Sequence, residues 1–215
     1  MPLVVDDLAK IINDSLGVKD GNGKPTEITS EMKTYAKAII DTFHACTTAH
    51  SVGTVNGGTA AASPLIAGLA TGGLLVGFLP ATWTAAMASG FPKSNPAALA
   101  LEATASTGYV ALAAKINYKA GSITGITTNT PLTPGILTLG AGQDGTVDAL
   151  DGTAWSALVV PPLGDPALAS KLYKDIVAYI SKNAKCSYAI GTVQGTAPTG
   201  GGPLTLGLAV GGTIS

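Results

Sequence analysis

The sequence predicts an α+β fold of three pseudo-repeats of about 70 residues, each a short helix, a long helix and a β-hairpin. Three observations predict it. One phrase recurs along the chain: His50-Ser-Val-Gly-Thr-Val-Asn-Gly57 before Pro64-Leu-Ile-Ala-Gly68, and Ser187-Tyr-Ala-Ile-Gly-Thr-Val-Gln-Gly195 before Pro203-Leu-Thr-Leu-Gly207. A fainter copy, Tyr118-Lys-Ala-Gly-Ser-Ile-Thr-Gly125 before Ile136-Leu-Thr-Leu-Gly140, lies between them. Each copy follows a segment with helical spacing of apolar residues. Two copies also share a helix start, Asn95-Pro96 and Asp165-Pro166, in which Asn or Asp caps the free amides and Pro costs nothing in the first turn. The units are residues 1–78, 79–150 and 151–215, read as one pseudo-threefold assembly rather than independent domains. Because one hairpin is marginal alone, the three hairpins are expected to meet in a shared β-core covered by the helices.

In the first unit, Val5, Leu8, Ile12 and Leu16 fall at helical spacing, with Asp6 and Asp7 placed to favour the positive end of the helix dipole. A polar connector from Val18 to Glu27 leads to a longer helix, about 30–45, striped by Ile28, Met32, Tyr35, Ile39 and Phe43. Its hairpin pairs roughly 51–56 with 64–70. Trp83 and Trp155 open the second and third units at matching positions. The long helix of the second unit, about 96–115, is alanine-rich with charge only at Glu102 and Lys115, and is expected to be the most enclosed of the three. In the third, Leu168, Leu172, Ile176 and Ile180 form the stripe. His50, Tyr118 and Tyr188 precede the hairpins and are expected to pack under the turn. Glycine within each first strand, where bulky residues fail to alternate, predicts a bulge or a close backbone approach.

Composition narrows the function classes. The chain is 46% hydrophobic and only 12% charged, with 28 glycines, which predicts surface intended for partners, foremost other copies of itself. All twelve basic residues are lysines, and without arginine or a basic cluster no nucleic-acid partner is expected. Two cysteines, Cys46 and Cys186, are too few for a disulfide scaffold and are read as thiols. Met1-Pro-Leu-Val-Val-Asp-Asp7 lacks a basic leader followed by an apolar run, so no signal peptide is expected. The uncharged stretch from Thr42 to Pro92 has the length of a membrane span, but Pro80, its glycine pairs and its match to a strand of another unit argue for no membrane partner.

Few residues invite chemistry. His44, Cys46 and His50 supply three nitrogen or sulfur groups at a spacing that matches no zinc finger, and His44 and Cys46 diverge around a helix, so no metal is expected there. Asp144, Asp148 and Asp151 form a loose calcium-like loop without a complete ligand pattern, for which a solvated turn at Asp144-Gly145 is the simpler reading. Thr199-Gly-Gly-Gly202 lies between two strands, which excludes a phosphate loop. No Gly-x-Ser-x-Gly motif or paired carboxylate is present, so no catalytic residue, no cofactor and no enzymatic activity is expected.

In composition and in its Gly-Thr-Val-x-Gly and Gly-Pro-Leu phrasing, the chain resembles structural proteins of tailed-phage particles. The resemblance implies a virion or tail component assembled in the host cytoplasm, acting through contacts with its own copies or with other virion proteins. The alternative is a ligand-binding or adhesion module that displays its hairpin loops.

Overall fold

Among the described residues there are six helices, of which Val5–Leu16, Ser30–His44 and Pro166–Asn183 carry apolar stripes, and the glycine-rich phrases lie in seven strands. A computed structural model describes residues 3–17, 21–22, 26–90, 96–159 and 166–215. The elements run α1 (Val5–Leu16), α2 (Ser30–His44), β1 (Thr47–Ala60), β2 (Ile66–Val76), α3 (Pro80–Gly90), α4 (Pro96–Ala113), β3 (Lys115–Thr127), β4 (Gly135–Asp148), α5 (Gly152–Leu158), α6 (Pro166–Asn183), β5 (Lys185–Ala197), β6 (Gly201–Pro203) and β7 (Thr205–Ile214). The chain divides into two compact units, each assembled from three separate stretches. One is helical (1–45, 77–113 and 149–184); the other is all β (46–76, 114–148 and 185–215).

The expected fold of three pseudo-repeats, each a short helix, a long helix and a β-hairpin around a shared β-core, is corrected here: the strands form a closed barrel and the helices a separate compact unit. Strands β1, β2, β3, β4, β5 and β7 close into a six-stranded antiparallel barrel, and β6 adds a short seventh strand on the end of β1. The barrel contains its own core, and the helices contain another. The physical reason lies in the strand edges. A hairpin leaves both outer edges with unpaired amides, and the pairings β2–β3, β4–β5 and β7–β1 use up all of them, so the strands close on one another.

A six-stranded barrel is narrow, and the sequence meets that constraint in tiers. One tier is Val55, Ile123 and Val193, all essentially inaccessible. Another is His50, Tyr118 and Tyr188, also buried. Space for these three rings comes from Gly73, Gly145 and Gly212, where a Cβ would collide with His50, Tyr118 and Tyr188 respectively. The expected packing of the rings under a turn is therefore corrected: they fill the barrel. Between the two tiers β1, β3 and β5 each bulge outward and shift register, at Ala49–Val55, Asn117–Ile123 and Ser187–Val193. Each bulge carries a glycine at φ near 90° (Gly53 88°, Gly121 87°, Gly191 90°), so the bulge expected from the broken alternation is present.

In the helical unit each helix packs on the next in chain order, and α6 returns to α1. Thr29 caps α2 by accepting the Met32 amide at 3.3 Å, and Gly17 closes α1 in the left-handed conformation. Leu8, Ile12, Ile39, Phe43, Ile176 and Ile180 turn their stripes toward a core that also holds Trp83 and Trp155. The caps expected at Asn95 and Asp165 lie outside the described residues, as does most of the connector between α1 and α2. Helix α4, expected to be the most enclosed by a central position or by another subunit, buries Leu99, Ala103 and Val110 within this chain and leaves Leu101 and Leu112 more than two-thirds exposed.

Candidate functional site

The barrel interior gathers the chain's most unusual set of polar side chains. His50 on β1, Tyr118 on β3 and Tyr188 on β5 occupy one tier with ring centroids 5.4–5.7 Å apart. The His50 Nε2 lies 3.0 Å from the Ile116 carbonyl oxygen, which can only accept, so Nε2 carries the proton. Nδ1 then accepts from the Tyr188 hydroxyl at 2.8 Å. Burial holds the imidazole pKa below its ordinary value and pushes Tyr188 up to about 12. Tyr118 is raised as well, and its hydroxyl has no hydrogen-bond partner. The three rings form a buried packing layer inside the barrel.

The helical unit holds a second polar cluster. The Glu102 carboxylate on α4 accepts from the Tyr35 hydroxyl at 3.0 Å and the Tyr173 hydroxyl at 3.3 Å. Nearby, the Trp155 indole donates to Ser106 Oγ at 3.0 Å. Burial raises the Glu102 pKa, and the two phenol hydrogen bonds oppose it. An acid whose folded pKa is raised contributes stability at low pH that is lost as pH rises through that value. Glu102→Gln keeps an acceptor for the phenols and removes the buried charge. It is expected to raise stability by roughly 1–2 kcal/mol near pH 8 and to change little near pH 4. Urea melts at the two pH values check this; a loss of stability at both would show that the carboxylate itself is required.

The residues with metal-binding chemistry do not converge. Asp144 sits in β4 at φ 56°, and Asp148, at the end of β4, accepts from Asn117 Nδ2 at 2.9 Å and Thr146 Oγ1 at 2.7 Å. Asp151 caps α5 through the Thr153 amide at 2.7 Å, a bond that lowers its pKa. His44 ends α2, whereas His50 is committed to the barrel tier. Among the described residues no group of three His, Cys, Asp or Glu side chains is placed to hold a metal. Cys46 and Cys186 are not joined to each other; burial pushes both thiols up to about 12, which leaves them protonated and unreactive. No helix among the described residues is long and apolar enough to cross a membrane.

The barrel also carries an uncharged groove. Strands β4, β5 and β7 frame a groove of about 560 Å³ lined by Ile136, Leu139, Val193, Gln194, Leu206 and Leu208, with no charged side chain in its lining. Ile136, Leu139 and Leu206 are each about 60% exposed. Leu139 and Leu206 also have left-handed backbones, φ 52° and 50°, a conformation that costs a bulky residue of order 1 kcal/mol or more. Each is followed by a glycine pressed against the neighbouring strand: a Cβ on Gly140 would collide with the Val193 carbonyl oxygen, and one on Gly207 with that of Val55. The close approach explains the local backbone, yet exposed leucine at these positions gains no burial to offset the strain. Sequence reasoning missed this groove. Its signal was the residue before each repeated glycine, Ala67, Leu139 or Leu206.

No protein-family model matches the chain, and no curated protein or solved structure is significantly similar to it.

Proposed function

We propose that the protein is a structural assembly protein that works through contacts with other protein subunits. The observation that carries this reading is the uncharged groove on the barrel, rimmed by exposed Ile136, Leu139 and Leu206. Exposed apolar side chains that converge in one place favour a protein interface over free solvent. Leu101 and Leu112 on α4, with no charged residue between them other than the buried Glu102, add apolar surface on the helical unit. No cluster described above combines a nucleophile, a base and access for a substrate, so the reading assigns no catalysis. The resemblance in phrasing to tailed-phage structural proteins supports a virion or tail component as the particle concerned.

Light scattering after size-exclusion chromatography tests the proposal. The purified chain is expected to form oligomers at high concentration, and Leu139→Lys with Leu206→Lys is expected to shift them toward monomer by about tenfold or more in dissociation constant. Circular dichroism of the double variant confirms that it folds. A wild-type chain that stays monomeric at every concentration and binds no other subunit would overturn the reading and favour a module that displays its loops to a ligand.

A further inference from the structure

The interior ring of the barrel is built from tyrosine at two positions and histidine at the third. We propose that His50 makes the barrel acid-labile: protonation of its imidazole puts an uncompensated cation inside the closed strands and loosens them. Both ring nitrogens are already committed, Nε2 donating to the Ile116 carbonyl oxygen at 3.0 Å and Nδ1 accepting from Tyr188 at 2.8 Å. A second ring proton therefore meets a hydroxyl that is donating, and the phenol must turn away before the new bond can form.

Among the described residues the surroundings provide no countercharge. Strand β3 faces the ring with Tyr118, and β5 faces it with Tyr188 and carries Cys186 in the same interior; burial keeps all three protonated. Strand β2 contributes Gly73, whose Cα lies against the imidazole, and β7 pairs Ala209 with His50. Asp148 and Lys185 act on the Cys186 thiol, not on the imidazole. A buried charge without a partner is expensive. Because the folded barrel binds this proton less readily than the unfolded chain does, His50 contributes stability above its ordinary value of about 6.5. That contribution is lost as pH falls through the lower folded value.

Hydrogen–deuterium exchange on the full chain, corrected for intrinsic rates, is the test. On moving from pH 7.5 to pH 5, peptides from 46–76, 114–148 and 185–215 are expected to gain exchange. In His50→Tyr, which places at this position the ring found at the other two, that gain is expected to disappear. An equal acid-dependent gain in His50→Tyr would overturn the proposal. Should His50→Tyr not fold, NMR titration of the wild-type imidazole decides: a His50 signal titrating below 6.5 with loss of the folded spectrum supports it. One titrating at or above 6.5 in an intact barrel overturns it.

Discussion

Gly140→Val is expected to destroy the barrel, with a loss of at least about 4 kcal/mol and recovery of the chain mainly in insoluble form. The residue has no space on its strand-facing side: even a Cβ would lie against the Val193 carbonyl oxygen and carbon, which are backbone atoms fixed by the β4–β5 ladder. Relief requires β4 and β5 to separate, and separating two strands of a closed barrel exposes paired amides on both. Gly68 and Gly207 stand in the same relation to Ile123 and Val55, so valine there is expected to act alike. The control is Gly121→Asn: its side chain would meet nothing within 4 Å, and asparagine tolerates the left-handed φ of 87°, so the cost should stay near 1 kcal/mol or less. Soluble yield and urea midpoints compare the variants. A Gly140→Val chain as stable as Gly121→Asn would refute the close-approach account.

Trp155→Ala is expected to cost about 3–5 kcal/mol in the helical unit. The indole is fully buried and packs within 5.1 Å of Tyr173, 5.8 Å of Tyr109 and 6.3 Å of Trp83 between ring centroids, while its N–H donates to Ser106. Truncation creates a large cavity and leaves a buried hydroxyl without its donor. Ser106→Ala removes the hydroxyl that bonds the indole and Tyr173 without opening a large cavity, and should cost about 1–2 kcal/mol. Far-UV circular dichroism during urea unfolding, together with the fluorescence of the remaining Trp83, measures both. If the two substitutions cost the same, the cavity contributes nothing, and packing of the tryptophan is not what stabilises the unit.

Both predictions rest on residues whose types were conspicuous in the sequence, but for reasons that only partly survived. The glycines at 68, 140 and 207 stood out as the last residues of a repeated phrase, and tight strand packing was a reading open from the sequence. Which strand they approach was not, because β4 meets β5 across an intervening pair of helices in the chain. Glu102 stood out as a lone acid on an alanine-rich helix, and that could have marked it as buried and bonded. Its partners, Tyr35 and Tyr173, lie more than sixty residues away on either side. The groove was illegible for a different reason. Ile136, Leu139 and Leu206 look like ordinary strand residues, and Leu139 and Leu206 sit at a left-handed turn of the backbone that no residue preference for leucine would suggest.

The sequence by itself determined local features: the apolar stripes of α1, α2 and α6 and the glycine bulges of β1, β3 and β5. These depend on periodicity, caps and glycine, which act over a few residues. Closure of the barrel, the separate core of the helices and the His50–Tyr118–Tyr188 ring were decided only in three dimensions. Each depends on pairing between strands or packing between helices remote in the chain, where unsatisfied strand edges and buried rings select their partners. The expectation of three pseudo-repeats failed at that step. Edge amides are satisfied by pairing with the next strand, and six strands are enough to close the barrel.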